Sequence, residues 1–467
     1  MKKEELKKMN ENTIDVKNLS TGKLIVVVLP TIIALLISSL YSIVDGVFVS
    51  NVGGTTAFSA INQVAPIFLI IASVGFMLGT GGTALVSKVQ GEGDSERANG
   101  IFSLLTYTLI TVGVIASIVL WFATEPILQA LGTTKEAMPY CMAYAHIVIP
   151  ALTLFMLQFY FQSFFACARK PKLGLADTLA AGVVNIGGDA LLVGVIAKGD
   201  PMKAVQGAAY ATAAGLVVGG LLPVIYFFAK NSSTLHLGKA VFKLRYIGAA
   251  CGNGISEFFT NVSASFINIV YNSLFLYMIG DMGVAAFGTV GYVNTICCAI
   301  ASGYAVGVAP YIAYSYGAKD TDALKNLHKK SLVIVIAYSV LATILIEILA
   351  TPLASIFSHG DQKLLEITVD GLRIFTLSFL FKGIPTYGSG LFTALNDGFS
   401  SGFISIARTL VFNLATIIAV PVLFFYMYGS SYEAAYYGVW YSIVGSEILA
   451  TIMTFIFFKV KRKKYQY

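Results

Sequence analysis

Charge is scarce in this chain of 467 residues: Asp, Glu, Lys and Arg make up 12% of it, against 57% hydrophobic residues. With a mean hydropathy of +0.77 it carries far more apolar surface than a water-soluble core can absorb, so it reads as an integral membrane protein. Histidine is rare, and His146, His236, His328 and His359 do not cluster. The five cysteines (Cys141, Cys167, Cys251, Cys297 and Cys298) sit inside or at the ends of apolar stretches, odd in number and without metal-ligand spacing. They read as small apolar fillers, and no cofactor or metal is expected. The one glycine-rich run, Gly79-Thr80-Gly81-Gly82, lies in an apolar stretch and lacks the Lys-Ser/Thr of a phosphate loop. Without a nucleotide fingerprint, ATP-driven transport is not encoded; without a His-rich, Ser/Lys or paired-Asp loop signature, a membrane-embedded enzyme is the least favoured class.

Long apolar runs are what the sequence has instead. Twelve are long enough to cross a hydrocarbon layer of about 30 Å: roughly 24–50, 57–84, 99–122, 140–168, 174–197, 204–229, 246–279, 284–314, 331–350, 370–395, 402–428 and 437–458. They are continuously apolar rather than alternating, which excludes a transmembrane barrel. The predicted fold is all-α, with twelve membrane helices in two pseudo-symmetric six-helix bundles. Its parts are a cytoplasmic N-terminal segment (1–23), a first lobe (24–229), a polar linker (230–245), a second lobe (246–459) and a basic tail (460–467). No cleavage pattern follows the first apolar run, so the first span is expected to be retained.

Lys and Arg collect on the side holding both termini, including Arg169, Lys170, Lys172 and Lys461 to Lys464, whereas the other side holds only Lys135, Lys198, Lys203, Lys363 and Arg373. That bias places both termini in the cytoplasm and the protein in the plasma (inner) membrane. The net charge of +7 follows from the same bias and gives no support to nucleic-acid binding.

The second half repeats the first. Gly54-Thr55-Thr56-Ala57-Phe58 answers to Gly283-Val284-Ala285-Ala286-Phe287, Gly91-Glu92-Gly93-Asp94 to Gly317-Ala318-Lys319-Asp320, and Ala168-Arg169-Lys170-Pro171 to Leu395-Asn396-Asp397-Gly398, with Asn185 and Asn413 at matching distance. Paired bundles of this kind are common in secondary transporters. Pro30 in the first span permits a kink.

Ionisable residues within spans cost several kcal/mol unless paired, hydrated or neutral, so each is a functional candidate. Spans one and five carry Asp45 and Asp189, with Asp177 nearer the start of span five; the second half carries Glu257, Lys382, Arg408 and Glu447. At 1.5 Å per residue, Asp45 lies about 8 Å and Asp189 about 12 Å from the outer ends of their spans, so the two share a level. Asn185 is one turn before Asp189 on the same face, and Thr212 reaches that level from span six. Two carboxylates, an amide and a hydroxyl make an oxygen nest for a small cation. Close carboxylates in a low dielectric cannot both ionise cheaply and so hold a proton between them; the same oxygens also suit sodium. The alternative is a structural carboxylate bridging two helices. Glu257 and Lys382 are expected to pair across the central cavity, to contact substrate, or to form a static structural pair, and Arg408 and Glu447 to serve structure.

An Asp near the outer end of span one, Asn185-x-x-x-Asp189 on span five and Gly207-Ala208-Ala209-Tyr210-Ala211-Thr212 on span six together resemble the multidrug and toxic compound extrusion (MATE) family, of the MOP type, from about Leu24 to Lys459. The resemblance implies two bundles in a V, alternating access by rocking, and a secondary active antiporter, not an enzyme, that exports organic cations or other amphipathic compounds in exchange for H+ or Na+. It assigns the cation site to Asp45, Asn185, Asp189 and Thr212. Val262 and Lys382 stand where NorM-like members carry acids, which points to MepA-like or DinF-like members. Substrate contacts are expected from Tyr41, Gln63, Phe155, Gln158, Phe159, Glu257, Tyr271, Asn272, Asn294 and Lys382, because aromatic faces and few fixed partners suit varied cations. The partners expected are small amphipathic substrates and the lipid bilayer, with the chain acting as a monomer. A lipid-linked precursor flippase of the same superfamily is the second reading; it favours fourteen spans and several mid-span Arg or Lys, where only Lys382 and Arg408 are present.

Overall fold

The computed structural model describes residues 20–358, 361–427 and 432–467, so most of the expected N-terminal segment lies outside the described residues. Its helical rods are α1 Thr21–Gly54, α2 Phe58–Gly91, α3 Ser95–Ala130, α4 Met138–Cys167, α5 Pro171–Ile196, α6 Pro201–Phe228, α7 Leu244–Ile279, α8 Asp281–Gly317, α9 Thr321–Ser358, α10 in two pieces, α11 Gly398–Met427 and α12 Tyr432–Tyr465. Among the described residues, eleven helices are unbroken and apolar enough to cross a membrane. The remaining rod, α10, corrects the expected continuous span 370–395. It runs Gln362–Thr376 and then Phe379–Ala394, because between them the backbone tightens into three-residue hydrogen bonds from Leu377, Ser378, Leu380 and Phe381 to Ile374, Phe375, Leu377 and Ser378. Pro30 leaves α1 helical; the non-helical residue falls at Gly54 instead.

Most rods outrun their apolar stretches, since backbone hydrogen bonds continue where hydrophobicity stops. Thus α2 reaches Gly91 through Ser87, Lys88 and Gln90 rather than ending near 84. A helix of 36 residues is about 54 Å long, well beyond the hydrocarbon layer.

The backbone sharpens the repeat. Gly54 (φ 76°, ψ −175°) and Gly280 (φ 76°, ψ −154°) each turn the chain between two helices in a conformation that a side chain would strain. Gly280, not Gly283, is therefore the counterpart of Gly54. With that pairing the two copies keep one spacing, because Gly91 and Gly317 each follow 37 residues later, where counting from Gly283 falls three residues short. Gly93 and Lys319 then share positive φ, as do Arg169 and Asn396.

Each half buries its own cores. Phe102, Tyr160, Phe161, Phe164 and Phe227 pack in the first half, and Phe275, Leu372, Phe375, Val439 and Trp440 in the second. The halves meet toward the end that carries the start of α1 and the 91–95 and 317–321 turns. There Leu24 and Val28 of α1 enter a core with Val308, Tyr311 and Ile312 of α8. Gly81 of α2 and Gly254 of α7 let the two backbones touch: a Cβ on either would overlap a carbonyl of the facing helix. The Arg169 guanidinium lies 5.0 Å over the Tyr314 ring, and the Lys88 ammonium 5.4 Å over Tyr316. The polar connection after α6 does not hang free. His236 and Gly238 donate backbone N–H groups to Asn99 and Ser103 of α3, and Leu235 is fully buried.

Candidate functional site

On α1, Asp45 lies one helical turn above Tyr41; on α5, Asp189 lies one turn above Asn185. From Asp189 to Ile196 the α5 backbone widens into π-helical turns, a local geometry that occurs often at functional sites. Asp189 is fully buried, and the Asp45 carboxyl group lies within hydrogen-bonding reach of it. The Tyr144 phenol of α4 stands beside Thr212 of α6 and close to both carboxylates. Asp45, Asn185, Asp189 and Thr212 are thus brought together. Tyr144 was missed by sequence reasoning, because a tyrosine in a membrane helix gives no signal until its neighbours are known.

The oxygens of this nest have few donors. Among the described residues no cationic side chain pairs with Asp45 or Asp189, and Asp45 Oδ1, both Asp189 oxygens, Asn185 Oδ1 and Thr212 Oγ1 are buried without a hydrogen-bond partner. Each buried acceptor left so costs about 1–3 kcal/mol, and a pair of facing anions more. A proton or a small cation would remove that cost. Among the described residues there is no group of three or more His, Cys, Asp or Glu side chains that could hold a metal ion.

The other half solves the same problem with its own charges. Counting from Gly280, Tyr271 occupies the place that Asp45 holds relative to Gly54. Tyr271 is buried, 3.0 Å from the Ser442 hydroxyl, and donates to Asn413 Oδ1 at 3.5 Å. Arg408, in the π-helical turns Ala407–Val411 of α11, donates from Nε and Nη2 to both Glu447 oxygens at 3.0–3.3 Å and from Nη1 to Thr386 Oγ1 at 2.7 Å. Lys382 Nζ is 3.8 Å from Glu447, donates to Asn294 Oδ1 at 2.6 Å, and lies over the rings of Phe375 and Phe379. The anticipated Glu257–Lys382 pair is therefore not made: Glu447 takes both cations, because α12 brings its carboxylate between α10 and α11.

The substrate candidates scatter. Phe155 and Phe159 are half-buried, 5.0 Å apart, with Phe159 stacked 4.1 Å from Phe76. Gln158 is buried in the first half and donates to Tyr41 at 3.4 Å. Gln63 accepts from Thr133 at 2.7 Å, and Asn272 bonds back to Asn268 on its own helix. Tyr271 lies in the core of the second half, stacked on Phe287. Glu257 is half-buried on α7 and lies in the field of Arg408.

The MatE family pattern matches residues 30–191 and again residues 258–419, once in each half and over more than half of the chain. The chain belongs to the MatE family. It is 26% identical over 396 residues to the multidrug export protein MepA of Staphylococcus saprophyticus, covering 85% of this chain and 84% of that protein. With MepA of Staphylococcus haemolyticus the identity is 24% over 445 residues, covering 93% and 92%. The MepA-like character suggested by Val262 and Lys382 agrees with these relatives. A solved structure described as the outward-facing conformation of a MATE family multidrug resistance transporter superposes with a TM-score of 0.87 at 20% identity, covering 97% of this chain and 98% of that one. Another, from Pyrococcus furiosus and described by the reverse polarity of its binding pocket, superposes at 0.85 with 19% identity and the same coverage. At such identities these two share the MatE fold with this chain.

Proposed function

We propose that this MatE protein is a multidrug efflux antiporter that exports amphipathic organic cations in exchange for protons, with Asp45 and Asp189 as the coupling pair. The observation that carries the reading is the direct approach of these two carboxyl groups, buried, with no cation beside them. Carboxyl oxygens within hydrogen-bonding reach share a proton between them, whereas a sodium ion would have to stand between them and push them apart. Asn185, Thr212 and Tyr144 surround the pair.

The contacts between the halves at the end bearing the start of α1 correspond to a carrier closed toward the cytoplasm and open outward, with both termini inside. In that state the pair takes a proton from outside. Neutralising two facing anions favours a different arrangement of the first lobe, and drug entering from the cytoplasm or inner leaflet drives the proton off. Each ligand prefers one state, so each is coupled to the other through the change of state. The half-buried rings of Phe76, Phe155 and Phe159 are the apolar and cation–π surface assigned to the drug.

The test is ethidium transport in proteoliposomes with pH and sodium gradients imposed separately. The native protein is expected to respond to the pH gradient, and Asp45→Asn and Asp189→Asn each to abolish the response. Intact gradient-driven exchange in either variant would remove the pair from the mechanism, and a response to sodium alone would reassign the ion.

A further inference from the structure

Below the carboxylate pair, toward the cytoplasmic end, the first lobe contains a polar seam that the coupling site does not use. On α5 the residues Asp177, Ala181, Asn185 and Asp189 recur every four positions and so share one face, which spans about 18 Å. On α1 the matching face carries Ser38, Tyr41 and Asp45. From α4, Gln158 Nε2 donates to the Tyr41 hydroxyl at 3.4 Å, and one turn lower Gln162 Nε2 donates to Ser38 Oγ at 3.0 Å. Glycines on α6 keep the seam narrow: Gly215 abuts Asn185 and Gly219 abuts Gln158.

The unpaired atoms in this seam are what set it apart. Gln158 Oε1, Gln162 Oε1 and Asn185 Oδ1 are all buried with no hydrogen-bond partner among the described residues. Exchanging oxygen and nitrogen of either glutamine leaves its other end unpaired instead. If the glutamines only tied α4 to α1, leucine or methionine would pack there without the roughly 1–3 kcal/mol that each orphaned acceptor costs. Buried oxygens in a row between helices are where ordered water donates. The row begins at the carboxylate pair and runs toward Asp177, a half-buried carboxylate near the start of α5 with no ion-pair partner within 4 Å among the described residues.

We propose that this seam is the proton-release route. When drug displaces the proton, it leaves the Asp45–Asp189 pair, passes along waters held by Asn185, Gln158 and Gln162, protonates the Asp177 carboxylate, and is released from there to the cytoplasm; the pair is left ionised and Asp177 returns to its anionic form. The proposal rests on the proton reading above.

The experiment has two arms, both with ethidium as the drug. In detergent, proton release on ethidium addition is followed with a pH-indicator dye; in proteoliposomes, exchange is followed under a pH gradient. Asp177→Asn and Gln162→Leu are expected to release the native amount of proton in detergent yet to slow exchange by roughly 100-fold, the low end of what a positioned proton-transfer group contributes. Gln162→Glu, which keeps a proton-exchanging oxygen at that level, is expected to restore exchange. Asp189→Asn should neither release protons in detergent nor support exchange in proteoliposomes. Native exchange in both Asp177→Asn and Gln162→Leu would overturn the route and leave the coupling pair standing. No proton release from the native protein would overturn the proton reading and the route with it. If Gln162→Leu loses ethidium binding through misfolding, the outcome with half-exposed Asp177→Asn decides.

Discussion

The two lobes of this transporter share a backbone plan and treat buried charge in opposite ways. In the first, Asp45 and Asp189 face one another with no cation beside them. In the second, the place of Asp45 is taken by the neutral Tyr271, and the buried acid Glu447 is held by Arg408 and Lys382. Both lobes put a residue of this chemistry in π-helical turns, Asp189 at the start of one and Arg408 inside the other. A fold built twice can leave the buried acids of one copy without cations and pair those of the other.

The strongest way to break this contrast is to neutralise the first lobe. Asp189→Asn is expected to abolish pH-driven ethidium efflux, a fall of about 100-fold or more, while leaving the melting temperature in detergent unchanged or raised, because it removes an uncompensated buried charge. The second lobe should respond in the reverse sense. Glu447→Ala strands two buried cations and is expected to cost about 3–5 kcal/mol, read as a lower midpoint in thermal unfolding. If Glu447→Ala instead spares stability and removes proton coupling, the two lobes are functionally alike and the contrast fails.

A smaller effect separates the matched turns that open α5 and α11. Asp397 caps α11 by accepting from the Ser400 backbone N–H at 3.1 Å, and it also accepts from the Tyr465 hydroxyl at 2.8 Å and Lys461 at 3.1 Å. Burial works to raise this carboxyl group's affinity for a proton, but the donors outweigh it and hold its pKa below the ordinary carboxylate value. A lowered native value means that the stabilisation is complete above the unfolded value of about 4 and is lost as the pH falls through the lower native value. Unfolding at graded acid pH should therefore show a component in the native protein that Asp397→Asn lacks. The corresponding residue in the first lobe is Lys170, which gives α5 no side-chain cap. Lys170→Asp is expected to add about 1 kcal/mol, the smallest of these effects and measurable by the same melts.

Much of this arrangement could be read before any coordinates. The apolar runs announced the rods, and the near-absence of charge within them made Asp45, Asp189, Lys382, Arg408 and Glu447 conspicuous. The four-residue step from Asn185 to Asp189 placed both on one face. What could not be read was pairing. Nothing in the spacing along the chain says which buried acid meets which buried cation, yet α12 delivers Glu447 between Lys382 and Arg408 and leaves Glu257 without an ion pair among the described residues. Gly280 was hidden as the partner of Gly54 because the more similar letters lie three positions on, and only the shared positive φ shows the register.

The sequence by itself determined that the chain crosses a membrane, that it does so in two related halves, and which few side chains must justify their burial, because hydropathy and helical periodicity are local properties written along the chain. The tertiary structure decided which of those side chains meet, where the halves touch and which oxygens are left without donors. Those outcomes depend on how helices far apart in sequence are rotated and set against one another, and a rotation of a fraction of a turn would turn a facing pair into two unrelated acids.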